Sequence, residues 1–154
     1  MSDVRLDLPT TARAPFAAML RLEASIELDP TIRELVKVRA SLINGCAYCI
    51  DMHWKDARAR GESEERLYML DAWAESPLYS ERERAALELC DAVTLVRDGH
   101  VPAATWERAA AVYPTEELGQ LLFAIASINA WNMLMIASRA EPGHYRPVAG
   151  ASLT

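Results

Sequence analysis

The chain has 154 residues, 51% of them apolar, and a formal net charge of −6 with its three histidines counted neutral. That length supports one core able to bury roughly 68–70% of the unfolded surface without disulfide staples, so it reads as one domain over residues 1–154. The acidic balance and the lack of any Lys/Arg cluster exclude nucleic acid and an anionic membrane as main partners.

Residues 1–11 carry neither the basic start nor the apolar run of a secretory signal, which predicts a reducing cytoplasmic setting. Residues 15–28 read as a first helix, with Phe16, Met19, Leu20 and Ile26 at helical spacing as core positions. Asp29-Pro30 then caps and opens a second helix, and Asn44-Gly45 ends it. On this helix Ile32, Leu35, Val36, Leu42 and Ile43 form the apolar face and Lys37 and Ser41 the outer one. Glu34 falls near the border. A third helix runs from the Cys46 turn to Arg60, with Gly61 as its left-handed cap.

Further on, Ser63 begins a short helix through Leu67, Leu70 and Trp73, and Ser76-Pro77 breaks the pattern. Ser80-x-x-Glu83 is a capping box that opens a longer helix to about Arg97, closed by Asp98-Gly99. Its apolar stripe holds Ala86, Leu89, Cys90, Val93 and Val96, where a lone cysteine acts as a small buried hydrophobe. Residues 102–112 form another helix, and Thr115 is placed to cap the last, over residues 116–139. That helix is apolar nearly all round, yet Ser127, Asn129 and Asn132 would be costly in lipid unless paired, so it reads as a central helix covered by neighbours or a second subunit. Residues 141–154 form an extended C-terminal tail beyond a core over about 15–140. His100 and His144 lie in loops as surface histidines. With no alternating or β-branched runs, the fold class is all-α, and a thioredoxin fold is removed as the explanation for a Cys-x-x-Cys pair.

The chemistry concentrates in residues 34–53, ELVKVRASLINGCAYCIDMH. Cys46, Cys49, Ile50 and His53 are spaced i, i+3, i+4 and i+7, so two sulfurs and an imidazole share one helix face at the start of a helix. A helix N-terminus and a neighbouring imidazole each lower a thiol's pKa from about 8.5. His53, one turn beyond Cys49, selects Cys49 as the activated nucleophile, whereas nearness to the helix end by itself favours Cys46. Cβ atoms three apart on a helix lie roughly 5–6 Å from each other and a disulfide needs about 3.5–4.5 Å, so the first turn must tighten or fray to close the bridge. Gly45 supplies backbone freedom for that. Glu34 has two readings: a carboxylate that orients His53, as the third member of a triad does, or a solvated helix-face glutamate.

The pattern Glu34-x11-Cys46-x2-Cys49-x3-His53, with Arg39-Ala-Ser41-x2-Asn44-Gly45 inside it and Ile128-Asn129-Ala130-Trp131-Asn132 downstream, resembles the alkylhydroperoxidase AhpD family of the carboxymuconolactone decarboxylase-like superfamily. The resemblance implies an all-helical bundle assembled into trimers or hexamers. It also implies reduction of organic hydroperoxides with Cys49 as peroxidatic cysteine, Cys46 as resolving cysteine, and Glu34 and His53 as proton relay. The electrons would come from a dithiol, lipoyl-bearing or thioredoxin-like reductant. Tyr48 stands where some members carry a histidine between the cysteines, so part of their relay is missing here.

Two other readings of the same residues stay open. Cys46, Cys49, His53 and Glu34 can be taken as four metal ligands, although one helix face would then supply three tetrahedral positions. The chain can also be read as a superfamily member without redox turnover, a lactone decarboxylase or an oxidation sensor. The decarboxylases of the superfamily do not depend on such a cysteine pair. No Gly-rich phosphate loop is present, so no cofactor is implied.

Overall fold

The computed structural model describes residues 3–148 as eight α-helices and one 3₁₀ turn, with no strand among the described residues. The helices are α1 (Leu8–Thr11), α2 (Arg13–Ser25), α3 (Pro30–Asn44), α4 (Ala47–Ala59), α5 (Glu64–Tyr68), α6 (Glu81–Thr94), α7 (Ala103–Val112) and α8 (Thr115–Ser138). The 3₁₀ turn Met69–Ala72 follows α5.

The centre of the molecule is α3. Asp29 accepts a hydrogen bond from the Ile32 amide at 3.1 Å, and Pro30 fills the first position, where no amide hydrogen is needed. The helix stops where Gly45 turns left-handed at φ 68°, a conformation that costs a residue with a Cβ. Packed against α4, α6 and α8, α3 contributes to two apolar clusters. Val36 and Ala40 join Leu89, Leu121, Ile125 and Ile128 on one side. Leu35 and Val38 join Leu67, Leu70, Trp73 and Leu87 on the other. Each fully buried Leu or Val among them contributes about 1.5–3 kcal/mol of transfer free energy.

An element clasped on several sides has no outer face, and this corrects the expectation for Lys37 and Ser41, which are 4% and 0% exposed. Lys37 is satisfied by an ion pair with Glu23 of α2, and the Ser41 hydroxyl donates to the Lys37 carbonyl at 2.7 Å.

Other boundaries moved for local reasons. The capping box of Ser80 and Glu83 opens α6, but the helix ends at Thr94, so Val96 falls in the following turn and is exposed rather than on the apolar stripe. Thr115 is the first residue of α8 rather than its cap. Pro114 holds the cap position with extended ψ, and no side chain closes the end. Helix α2 runs over Arg13–Ser25 and buries no residue fully, so its stripe is a wall rather than core. Cys90 is fully buried, as expected, with its thiol directed at the Val36 carbonyl at 3.3 Å.

By length and composition α8 is long and apolar enough to cross a membrane, yet it lies against α2, α3, α4, α6 and α7. The segment before α1 is tied to the end of α8, and the segment after α8 folds back over α4. The Arg5 amide donates to the Ser138 carbonyl at 2.9 Å. The tail after α8 bonds to α4 through Gly143 to Asp51 (3.0 Å), Lys55 to the Tyr145 carbonyl (3.2 Å) and the Tyr145 hydroxyl to Asp56 (2.7 Å). The last tail residues, 149–154, lie outside the described range.

Candidate active site

The turn at Gly45 sets the position of the first sulfur. Cys46 is the N-cap of α4, with φ −87° and ψ 95°, one residue outside the helix rather than within its first turn. Its extended backbone departs from helical register, so its side chain does not follow the i, i+3 spacing of two residues inside a helix. Both thiols are buried and free, not bridged, and each is the largest influence on the ionisation of the other.

Electrostatics divide the pair. The hydrogen bond from Cys49 is the largest influence on Cys46, opposed by burial. The amides of Cys49 and Tyr48 at the open helix end and the side chain of Asn132 add to it, and together they bring the Cys46 thiol down to about 7. Cys49 is pushed up because its proton serves that bond, because it is buried and because the neighbouring sulfur is negative; Asn132 and Lys37 offset part of this. The first proton therefore leaves easily from the Cys46 side, and the remaining one is shared. Cys49 lines the adjoining cavity, and Cys46 is absent from the wall.

Glu34 and His53 face each other across the α3–α4 hairpin, with Glu34 Oε2 and His53 Nδ1 3.0 Å apart. Both are buried, at 5% and 8% exposure, which decides against the solvated helix-face reading of Glu34. Burial alone would raise the Glu34 carboxyl. The hydrogen bond and charge of His53, with Lys37 and Arg60 nearby, outweigh it and bring the net shift below the usual carboxylate range. An ionised Glu34 can only accept, so Nδ1 carries a proton, and in the neutral ring Nε2 holds the lone pair.

Of the four residues selected from sequence, Glu34 and His53 are in direct contact, and Cys46 and Cys49 are a buried pair whose ionisations are linked. Cys49, Glu34 and His53 border a single cavity of about 430 Å³. One side is apolar: Leu6, Phe16 and Leu20 from the N-terminal segment and α2, with Trp131 and Met135 from α8. Phe16 and Trp131 meet edge to face at 5.1 Å. The polar side adds Glu23, Lys37 and Asp56. Tyr48 lines the same space, with its phenol held up by burial and by Cys49, so the position between the cysteines offers a hydroxyl instead of an imidazole.

Among the described residues, the metal-ligating side chains that converge are Glu34, His53 and Asp56, with candidate ligand atoms within 4.8 Å of one another. Neither sulfur joins them, unlike the four-ligand set considered from sequence. Sequence reasoning also missed Lys37 and Glu23, which are 14 residues apart and meet only when α2 docks on α3. Asn132 had a visible signal, a buried-type amide in an apolar helix, but its partners, Asn44 and Ser41, lie on α3.

Fold and site together define an all-helical protein with a free vicinal dithiol beside a carboxylate–imidazole pair on one apolar cavity. The chain belongs to the carboxymuconolactone decarboxylase family, whose model matches residues 9–92. It is 46% identical over 110 residues to the uncharacterized protein YdfG of Bacillus subtilis, covering 71% of this chain and 75% of that one. Its structure is similar to that of a protein of unknown function from Agrobacterium tumefaciens provisionally assigned to AhpD antioxidant defence. The TM-score is 0.90 and the identity 35%, over 93% of this chain and all of that one. The debrominase Bmp8, solved with 2,3,4-tribromopyrrole, has the same fold at 17% identity and a TM-score of 0.72, covering 88% of this chain and 75% of that one.

Proposed function

We propose that this protein is a thiol-dependent peroxidase acting on organic hydroperoxides. The observation that carries the reading is the opening of Cys49, three residues from Cys46, into the same cavity as the Glu34–His53 pair. Cys49 sulfur attacks the terminal peroxide oxygen and the O–O bond breaks. The Cys49 proton ends on the leaving oxygen, which departs as an alcohol, and Cys49 becomes a sulfenic acid. The Cys46 thiolate then attacks the Cys49 sulfur, forming the disulfide and expelling hydroxide, which takes a proton and leaves as water. Nε2 of His53, oriented by Glu34, is the group that moves protons between the sulfurs and the departing oxygens.

An external dithiol, lipoyl-bearing or thioredoxin-like, returns two electrons to the disulfide. The setting is the reducing cytosol. Self-association accompanies this reading, with α8 supplying the face. Phe123, Ala126, Ala130, Met133 and Ala137 recur at alternating three- and four-residue steps, and Phe123 and Met133 are 59% and 69% exposed.

The test is a count of free thiols before and after one equivalent of an organic hydroperoxide such as cumene hydroperoxide. Two thiols are expected to disappear, leaving the Cys90 thiol alone. An unchanged count sinks the proposal, and continued peroxide consumption with dithiothreitol separates a turning-over enzyme from a sensor that reacts once.

A further inference from the structure

Glu34, His53 and Asp56 all border the main cavity, and a candidate ligand atom of each lies within 4.8 Å of the other two. His53 and Asp56 stand three apart on α4 and so share a face, and Glu34 meets them from α3. Glu34 and His53 are 5% and 8% exposed, so two of the three groups are more than nine-tenths buried. The separation of Glu34 Oε2 from His53 Nδ1, 3.0 Å, is close to one edge of a tetrahedral zinc shell, roughly 3.3 Å for metal–ligand bonds of about 2.0–2.1 Å. A cation can therefore take the place of the proton between them with little movement of either side chain.

The far nitrogen of the ring is an independent sign. His53 Nε2 makes no hydrogen bond to any described residue, although the buried ring lines the cavity. When Nδ1 coordinates, its proton has that lone pair to move to, and the ring stays neutral. On the third ligand the Tyr145 hydroxyl donates to Asp56 Oδ1 at 2.7 Å, which leaves Oδ2 for a cation and gives the carboxylate the outer-shell support that metal ligands have. Two carboxylates offset a divalent charge. Lys37 is already paired with Glu23, and Arg60, on the same cavity, is exposed where solvent screens it.

We propose that Glu34, His53 and Asp56 form a binding site for a divalent cation of the zinc type, separate from the dithiol and with its fourth position open to the cavity. An imidazole nitrogen among the donors favours zinc over magnesium or calcium, which take oxygen. Occupancy puts a hydrogen on Nε2, where the proton carrier of the peroxidase needs a lone pair, so the bound cation and the peroxide chemistry exclude each other. That consequence rests on the peroxidase reading, and the site itself does not.

Zinc chloride is titrated calorimetrically into the chain carrying Cys46→Ser and Cys49→Ser, which removes the paired thiols as competing ligands. One zinc per chain is expected, with a dissociation constant below about 0.1 mM. Asp56→Asn, added to that chain, keeps an acceptor for Tyr145 and loses the charged ligand, and is expected to weaken binding by at least about tenfold. Glu34→Gln is expected to do the same. Thermal melting reports whether each variant is folded. Where Asp56→Asn does not fold, Glu34→Gln decides, and where the serine chain does not fold, both substitutions are read in the unaltered chain.

Weaker binding than about 0.1 mM overturns the proposal, and so does affinity that either carboxylate substitution leaves unchanged in a folded chain. Zinc held by the unaltered chain and not by the folded serine chain belongs to the sulfurs and overturns it as well. A chain that binds zinc here and never consumes peroxide removes the peroxidase reading and leaves the site standing. One that consumes peroxide and binds no zinc removes the site alone.

Discussion

Glu34 of α3 fixes the tautomer of His53 of α4: the carboxylate accepts at 3.0 Å from Nδ1, so in the neutral ring the lone pair sits on Nε2. Replacing Glu34 by Gln keeps the shape and removes the preference, since the amide presents either a donor or an acceptor to the ring. Peroxide-dependent turnover by Glu34→Gln is expected to fall by about 10²–10⁴-fold, the range for loss of positioned proton transfer. The thiol count after a single equivalent of peroxide given hours to react is expected to stay normal. Stopped-flow against overnight titration separates the two.

The pH dependence follows from the cysteine pair. The Cys46 thiol, brought down to about 7, attacks the Cys49 sulfenic acid in its deprotonated form, so the rate of disulfide closure rises with pH through neutrality and levels above it. Between roughly pH 8 and roughly pH 6 it is expected to fall about tenfold. Single-turnover rates across that range check this; a flat profile, or a midpoint above about 8.5, contradicts it.

Lys37 is a buried ammonium whose ion-pair partner is Glu23, and Glu23 also accepts from Ser127 at 2.6 Å. Burial raises the Glu23 carboxyl, but Lys37, Ser127 and Arg33 more than offset it and leave it lowered. Lys37→Met leaves that carboxylate enclosed with only Arg33, 3.5 Å away, as a charged partner, and is expected to cost about 3 kcal/mol in urea denaturation. Adding Glu23→Gln to Lys37→Met is expected to recover a good part of that loss, a coupling that a double-mutant cycle reads directly.

Assembly is tested on α8. Met133→Glu, alone or with Phe123→Glu, places charge on the exposed three-four stripe and is expected to reduce the native mass to that of one 17.1 kDa chain while helix content stays the same. Light scattering after gel filtration gives the mass. An unaltered chain that is already monomeric removes this face as an interface.

Much of the architecture was legible because α3 and α4 announce their own ends: Asp29-Pro30 and Gly45 are local signals that no packing overrides. The same holds for the Ser80–Glu83 box. Lys37 and Ser41 were misplaced because helical periodicity assumes one buried face, and α3 is enclosed on several. The site divides in the same way. Cys46, Cys49, Glu34 and His53 lie within one hairpin and could be found from spacing. Glu23, Phe16 and Trp131 reach the cavity through tertiary docking, which spacing does not encode. The one-residue shift of Cys46 out of α4 was equally invisible, since propensity does not distinguish a cap from a first turn at this precision.

The reactive groups come from one continuous hairpin, while the surfaces that enclose them come from Leu6, Phe16 and Leu20 near one end of the chain and Trp131, Met135 and Glu141 near the other. Selection of what enters is thereby separated from the chemistry performed on it. A swap at Phe16 or Trp131 would retune which molecules are admitted and leave the sulfurs and their bases as they stand, giving engineering a route to new guests without rebuilding the reactive hairpin.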